Sequence, residues 1–238
     1  MSPVVREAID WYIAEGGLFT VDTGRTPNEL SRFDYSMVNA PMILTSGSLI
    51  VNRLDETPLL DLPFDEEGYR IAREVWEIHP EISSLAVDDY MVTPRVIRGE
   101  ALTFDEVRAV LSYPWHKVQF YVDHAEDREP LERDLCTRYA TDYVFDSAWV
   151  RSVEMHYGTK GTGALALKKQ LGAKVLCCVG DHTNDLTMIR AADIGCAMGN
   201  ALAETKAAAD ITLPSNEEDG IAYMIRHLRI WAEERKLL

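Results

Sequence analysis

Short apolar runs alternate with amphipathic stretches toward both ends of this 238-residue chain, and this alternation restricts the fold more than any other feature. Leu18 to Val21 and Lys174 to Val179 have the composition of buried strands. Ser2 and Pro3 predict the start of a helix, because a hydroxyl cap precedes proline at the first helical position. Short strands joined by helices predict an α/β fold with a doubly wound parallel sheet, whose ligands bind at the carboxyl ends of the strands.

The middle of the chain follows a different pattern. A strand is predicted from Ser84 to Val92, and another, of alternating character, from His116 to Val122, each followed by a helical pattern. Such an α+β unit between two α/β stretches predicts an inserted domain. We therefore predict a Rossmann-like core formed by residues 1–51 and 153–238, with an α+β domain at residues 52–152 inserted into it.

Composition excludes several classes of partner. The formal net charge of −15 argues against nucleic acid and anionic membranes, because the field of the protein repels phosphate backbones. No apolar run approaches the roughly 20 residues that span a bilayer. The four cysteines form no Cys-x-x-Cys pair and are interpreted as reduced packing residues. These features predict a cytoplasmic protein, and they leave room for a small phosphorylated ligand that needs only local positive groups.

One segment joins an apolar strand to two acidic residues. Gly180 and Asp181 follow the strand, and Asn184 and Asp185 then open a helix. We expect Gly180 to allow a sharp turn and Asp181 to reach the carboxyl edge of the sheet, where oxygen ligands can hold a hard cation. The backbone N–H groups at a helix start favour anions. Taken alone, this pattern fits a simple helix cap equally well.

Two further signals are individually weak. Thr23, Gly24 and Arg25 follow the strand at Leu18 to Val21, so a hydroxyl, local N–H groups and a guanidinium could hold phosphoryl oxygens. By itself this is more often an ordinary turn after a strand. Lys160 lies just before a helix and could neutralise a phosphate, although an isolated lysine is usually a solvated surface residue.

The order of these three signals changes their meaning. Their order resembles that of the Cof-like group of the haloacid dehalogenase superfamily. It consists of a strand followed by Thr–Gly–Arg, an insert, Lys–Gly at the start of a helix, and a strand followed by Gly–Asp–x–x–Asn–Asp. In that resemblance Thr23 matches the second motif, Lys160 the third, and Asp181 with Asn184 and Asp185 the fourth. The segment from Ala197 to Ala201 is similar to the loop that follows.

The resemblance implies a magnesium-dependent phosphatase that hydrolyses a small phosphorylated metabolite, such as a sugar phosphate, through a phospho-aspartate. The insert would be a substrate-selecting cap that closes over the site. The implied catalytic residues are Thr23, Lys160 and Asp185. The implied phosphate-binding residues are Thr23, Gly24, Arg25, Lys160 and Asn184, and the implied Mg²⁺ ligands are Asp181 and Asp185.

The sequence departs from the family pattern in its first motif. Asp-x-Asp-Gly-Thr is expected before Ser2, and Asp-x-Asp occurs nowhere in the 238 residues. Asp22 is rejected as a substitute nucleophile because strand alternation should point it away from Thr23. At Thr45, Ser46 and Gly47 the family usually has an asparagine before the glycine.

Three interpretations remain open at this point. The chain is a phosphatase whose first strand is missing from these 238 residues, a pseudo-phosphatase that binds a phospho-ligand or a partner without turnover, or a structural or interaction protein with coincidental motifs. The first is favoured, because loss of a central strand leaves unpaired backbone groups in a core. In the first two cases, the 238-residue chain should show little or no phosphatase activity.

Overall fold

The computed structural model describes residues 1–88, 96–100, 103–111, 114–139 and 141–238, which form helices, strands and short 3₁₀ turns. In chain order the elements are α1 (Pro3–Ala14), α2 (Pro27–Leu30), β1 (Met42–Leu44), β2 (Leu49–Val51), β3 (Pro58–Asp61), α3 (Glu66–Ile78), β4 (Ile82–Val87), β5 (Val96–Ile97), α4 (Phe104–Val110), β6 (Lys117–Val122), α5 (Ala125–Arg138), β7 (Tyr143–Trp149), β8 (Ser152–Tyr157), α6 (Lys160–Leu171), β9 (Cys177–Gly180), α7 (Leu186–Ala191), β10 (Ile194–Ala197), α8 (Ala203–Ala208), β11 (Ile211–Thr212) and α9 (Gly220–Glu234).

A parallel sheet with helices on both faces lies toward the end of the chain. Its strand order is β11-β10-β9, and both pairings are parallel. Helix α1 packs with α9 over one face, and α6 with α7 lies on the other. The Ser2 hydroxyl accepts a hydrogen bond from the Val5 amide (3.2 Å) and so caps α1 as predicted. The predicted α/β fold is confirmed.

A second sheet, β1-β2-β3, is an antiparallel meander, and its β2–β3 pair is the hairpin that the apolar runs at Ser48 to Val51 and at Leu59 and Leu60 predict. The segment from Leu18 to Val21, predicted as a strand, forms no strand of a ladder, and one parallel bridge, from Asp22 to Ile43, joins this part of the chain to the second sheet. The Ile43 amide donates to Val21 (3.0 Å), and the Thr23 amide donates to the Ile43 carbonyl (3.0 Å). The segment therefore pairs with β1 on one side.

The two sheets share a helix layer without sharing a ladder. Ile43 and Ile50 of one sheet and Cys178 of the other pack into the same buried cluster with Leu167 of α6. Within the described residues, no strand pairing connects the two sheets. Neighbouring residues of a strand direct their backbone N–H and C=O groups to opposite sides. The backbone groups of Asp22 therefore point away from β1, and those on the outer edge of β9 point away from β10.

Side chains of the two segments pack into the same apolar clusters. Burial raises the pKa of the Cys178 thiol to about 12, and the Asp22 carboxylate adds to the rise. Phe19 packs into the same apolar cluster as Cys177 and Val179. The core sheet is thus divided into two halves that meet beneath common helices.

An antiparallel five-stranded sheet forms the insert, a name used here for β4 to β8 with α3, α4 and α5. The strand order is β5-β4-β6-β8-β7. One face of the sheet is apolar, packed around Phe120 and Trp115. The strand predicted from Ser84 appears as β4, while residues 89–92 lie outside the described residues. The boundary predicted at residue 52 stays a prediction, and β3 pairs with β2.

The cysteines and helices bear on two expectations from composition. All four cysteines are free. Cys178 and Cys196 are buried and Cys177 packs against the core as expected, whereas Cys136 is exposed, so the expectation is wrong for that residue. Across the described ranges, no helix combines the length and apolar character needed to cross a bilayer.

Candidate active site

Lys160 is a buried cation at the first position of α6, where Thr159 caps the helix by accepting a hydrogen bond from the Thr162 amide (3.1 Å). Its Nζ donates to Oδ1 of Asp185 at 2.6 Å, and both side chains are more than nine-tenths buried. Burial by itself lowers the pKa of Lys160, but the carboxylates of Asp185 and Asp22 outweigh this and raise it. The residue is therefore a charged group held inside the protein.

The second oxygen of Asp185 organises the loop after β9. Oδ2 accepts hydrogen bonds from the amides of Asp181 (2.9 Å) and His182 (3.2 Å). The chain bends directly after Gly180, and the φ of this glycine is not in the left-handed region, so the bend does not depend on the conformational freedom of glycine. Glycine is needed there because a Cβ would collide with the Asp185 side chain. Asp185 thus braces Lys160 and the Asp181 loop together.

Asp181 and Asn184 lie where the sequence predicts. Asp181 directly follows β9 and is exposed, and its carboxylate accepts no hydrogen bond in the part of the chain that the structure describes. Asn184 belongs to the 3₁₀ turn Thr183–Asp185, which leads into α7. The Leu202 amide donates to the Asp181 carbonyl (3.0 Å) and holds this end of the sheet against the segment before α8.

The Thr23 loop is ordered by its own backbone. The Thr23 hydroxyl accepts a hydrogen bond from the Arg25 amide at 3.2 Å. The Arg25 guanidinium lies 4.3 Å above the centre of the Phe33 ring, a cation–π arrangement. Arg25 therefore stacks on an aromatic side chain of its own domain, while its backbone shapes the loop.

A strained turn links this loop to α6. Thr45, Ser46 and Gly47 all have left-handed φ angles, of 47°, 54° and 101°. For the two non-glycine residues this conformation costs roughly 1–3 kcal/mol each. The Ser46 amide donates to the Thr23 carbonyl (3.0 Å), and Gly47 packs so closely on the Thr159 carbonyl that a Cβ there would collide.

Ser46 is a candidate that sequence reasoning did not select. Its hydroxyl is buried without a hydrogen-bond partner in the described residues and lies close to Gly24. The signal available in the sequence was the replacement of the usual asparagine, which indicated a change and not a role. An unpaired buried hydroxyl beside the Thr23 loop is placed to meet a ligand oxygen.

Asp22 also lies near these groups. Both of its carboxyl oxygens are buried and accept no hydrogen bond within the described ranges. Burial raises the pKa of Asp22 well above its usual value; Lys160 lowers it, and Asp185 raises it further. A carboxyl group that resists ionisation is a poor nucleophile. The raised pKa is a second reason, beside strand alternation, to reject Asp22 as the nucleophile.

We expect Asp22→Asn to stabilise the chain at pH 8 and to have little effect near pH 4. A carboxyl group with a raised pKa favours the folded state when it is protonated, so stability falls as pH rises above the pKa of the unfolded chain, near 3.8. The amide removes that loss because it does not ionise. Urea midpoints at both pH values, measured in EDTA, test this. Equal midpoints at pH 8 would contradict it.

Sequence reasoning also missed the polar face of the insert sheet. Strands β6 and β8 place Lys117, Gln119, Glu154 and His156 on this face, and all four are almost fully buried. Nδ1 of His156 lies 3.1 Å from the Gly158 carbonyl, and Nε2 lies 3.2 Å from Asp146. The alternating polar residues of these strands were the available signal, but they do not say what the face meets.

Comparisons with known proteins agree with this architecture. The family model of haloacid dehalogenase-like hydrolases matches residues 1–225. A Haemophilus influenzae protein, provisionally named as a phosphatase, is 38% identical over an aligned length of 238 residues. The alignment covers 94% of this chain and 90% of that protein. YxeH of Bacillus subtilis, also provisionally named as a phosphatase, is 30% identical over 253 residues, with the same shares covered.

Solved structures show the same fold at lower identity. The phosphatase BT1666 from Bacteroides thetaiotaomicron superposes with a TM-score of 0.77 at 18% identity, covering 97% of this chain and 88% of that chain. The subclass IIB sugar phosphatase BT4131 superposes with a TM-score of 0.75 at 20% identity, covering 97% and 92%. Sequence and fold together place the protein: it belongs to the haloacid dehalogenase-like hydrolases, is by family a phosphohydrolase, and has the fold of their Cof-like group.

Proposed function

We propose that the chain provides the phosphate-binding and metal-binding parts of a magnesium-dependent phosphatase for a small phosphorylated metabolite, such as a sugar phosphate. The observation that carries this proposal is the buried Lys160–Asp185 pair, at 2.6 Å, next to the carboxyl end of β9. A buried lysine fixed by one carboxylate retains its charge, so it can attract the oxygens of a phosphoryl group.

The other predicted residues have complementary roles in this proposal. The Thr23 hydroxyl and the Gly24 backbone bind phosphoryl oxygens, and Asn184 binds the phosphate or an attacking water. Arg25 acts through the backbone of the loop, since its guanidinium is stacked on Phe33. Asp185 positions Lys160. The insert serves as the cap, with its polar face toward the phosphoryl site.

The residues fit magnesium only in part. No group of three or more histidine, cysteine, aspartate or glutamate side chains is arranged as a metal site in the described ranges. Mg²⁺ in phosphoryl-transfer sites is often held by one or two carboxylates, with water and substrate phosphate completing the shell. Asp181 offers one unpaired carboxylate, whereas both oxygens of Asp185 already have partners. Bound magnesium would neutralise phosphoryl charge, and Asp181 would be its main protein ligand.

The absence of Asp-x-Asp from the 238 residues bears on turnover. Without a covalent nucleophile the remaining groups can bind and polarise a phosphate ester but cannot form the phospho-aspartate. We therefore propose that the 238-residue chain binds phosphate esters with little or no hydrolysis. The second candidate is a pseudo-phosphatase that binds a phospho-ligand or a partner in the same site, and the observation that favours it is an intact Lys160–Asp185 pair in 238 residues that contain no Asp-x-Asp.

We expect Lys160→Met to weaken binding of inorganic phosphate by about tenfold or more, because loss of a charge-assisted contact costs roughly 1.5–3 kcal/mol. Isothermal titration calorimetry in the presence of Mg²⁺ measures this directly. Lys168→Met is the matched control. Lys168 lies on the same helix as Lys160 but away from the site, and its Nζ pairs with Asp193 at 2.5 Å.

The control should bind phosphate as the unmodified chain does. Equal affinity of the unmodified chain and Lys160→Met would show that phosphate binds elsewhere and would contradict the proposal. Ordinary enzymatic turnover of an aryl phosphate by the 238-residue chain, abolished by Asp22→Asn, would show that Asp22 is the nucleophile after all.

A further inference from the structure

Lys117 of the insert reaches into the core and contacts the Thr23 loop. It is the first residue of β6 and is only 2% exposed. Its Nζ donates to the Gly24 carbonyl and to Oε2 of Glu29, both at 3.0 Å. One ammonium group thus connects a strand of the insert to the proposed phosphate-binding loop and to the helix that follows it.

Both ends of this connection are held in place. The Lys117 amide donates to Oδ1 of Asp88 (3.0 Å), and the Asp88 amide donates to the Lys117 carbonyl (2.8 Å), which secures the start of β6. Glu29 is secured as well, because its Oε2 accepts the Thr26 amide (2.9 Å) in a capping box at α2. Lys117 therefore joins two preordered segments.

The charges around Lys117 are not balanced by one partner. Oε1 of Glu154 lies 3.9 Å from its Nζ and accepts a hydrogen bond from Gln119 (2.9 Å). Burial raises the pKa of Glu154, and the positive charge of Lys117 offsets part of that rise. An added Cβ on Gly24 would lie 3.4 Å from Glu154, so this carboxyl group also lies against the loop.

The energetics of such a pair favour a directing role. Desolvation of a buried ion pair can exceed its Coulomb gain, so the pair need not add stability, but it specifies one arrangement of its partners. A hydrogen bond from Lys117 turns the Gly24 carbonyl toward the insert. The next amide, that of Arg25, donates to the Thr23 hydroxyl, so the orientation of Gly24 is coupled to the Thr23 side chain.

We propose that Lys117 is a positioning residue that couples docking of the insert to the geometry of the Thr23–Arg25 loop. When the insert is docked, Lys117 holds the loop in its observed form, and when the insert moves away the loop loses this restraint. The consequence for phosphate affinity rests on the proposed function. The coupling itself concerns the described contacts and can be tested without a ligand.

The test is hydrogen exchange of the whole chain with Lys117→Met, which keeps the length of the side chain and removes its charge. We expect exchange at Arg25, Thr45 and Ser46, whose amides bond within the loop or to it, to accelerate by about tenfold or more. Amides of β6 beyond residue 117 should keep their rates. Lys117→Arg should restore most of the protection, and Lys168→Met should change none of these amides.

Two results would overturn the proposal. One is unchanged loop exchange in Lys117→Met, and the other is an equal acceleration in the loop and in β6, which would mean that Lys117 only stabilises the fold. Lys117→Gln removes the charge and is too short to keep the contact with the Gly24 carbonyl, so it supplies the same readout if Lys117→Met does not fold.

Inorganic phosphate separates this proposal from the proposed function. If phosphate binds, its affinity for Lys117→Met should be about tenfold lower than for the unmodified chain. Because coupling is reciprocal, bound phosphate should also slow hydrogen exchange of the loop in the unmodified chain. If phosphate binds to none of the proteins, the proposed function fails, while the exchange measurements still decide whether Lys117 controls the loop.

Discussion

Extending the chain at its N-terminus with an apolar strand that ends in Asp-x-Asp-Gly-Thr is expected to raise the melting temperature and to create magnesium-dependent phosphatase activity. The reason lies in the divided core sheet, in which Asp22 and β9 are each paired on one side only and share no ladder within the described residues. A parallel strand placed between them would pair with both edges. It would also bring a carboxylate nucleophile beside Lys160.

The expected change is large. Each buried backbone group without a partner costs roughly 1–3 kcal/mol, and a folded domain is stable by only about 5–15 kcal/mol. Pairing even a few such groups should raise the melting temperature by roughly 10 °C or more. Differential scanning calorimetry measures the stability, and hydrolysis of p-nitrophenyl phosphate measures the activity.

A matched extension with Asn-x-Asn-Gly-Thr separates the two effects. It should keep most of the thermal stabilisation, because the strand still pairs, and it should remain inactive, because an amide cannot accept the phosphoryl group. If neither extension raises the melting temperature, the two sheet edges do not accept a strand, and the placement of the family's first strand between them is wrong.

Asp185→Ala is expected to destabilise the chain by about 3–5 kcal/mol, the usual effect of leaving a buried charge without its partner. Three donors lose their acceptor at once, namely Lys160 and the amides of Asp181 and His182. Urea unfolding monitored by circular dichroism measures the change. Phosphate binding should also fall, because Lys160 is no longer held in place.

Asp193→Ala is the control for this substitution. Asp193 pairs with Lys168 (2.5 Å) and accepts the Leu176 amide (2.7 Å), but its side chain is 26% exposed. Water can replace those contacts, so the loss should be only about 1 kcal/mol. Equal losses of unfolding free energy for the two substitutions would show that burial of the Lys160–Asp185 pair adds nothing to the cost of removing its carboxylate.

Local patterns in the sequence determined most of the framework. Strand and helix periodicity predicted the α/β fold, the helix capped by Ser2 and the hairpin of β2 and β3, and these are confirmed. The positions of Thr23, Lys160 and Asp181 after strands or at a helix start were also readable, because turn chemistry and capping depend on neighbouring residues. The family relationship followed from the order of these motifs.

Tertiary structure alone decided what those residues contact. One oxygen of Asp185 accepts from Lys160 and the other from the loop after β9, and neither contact follows from a local pattern in the sequence. Lys117 and Glu29 lie 88 positions apart, and no local pattern pairs them. Periodicity shows which face of a strand is polar, but what that face contacts depends on how separate segments pack together. The same packing buries Lys160, which in the sequence alone has the pattern of a surface residue.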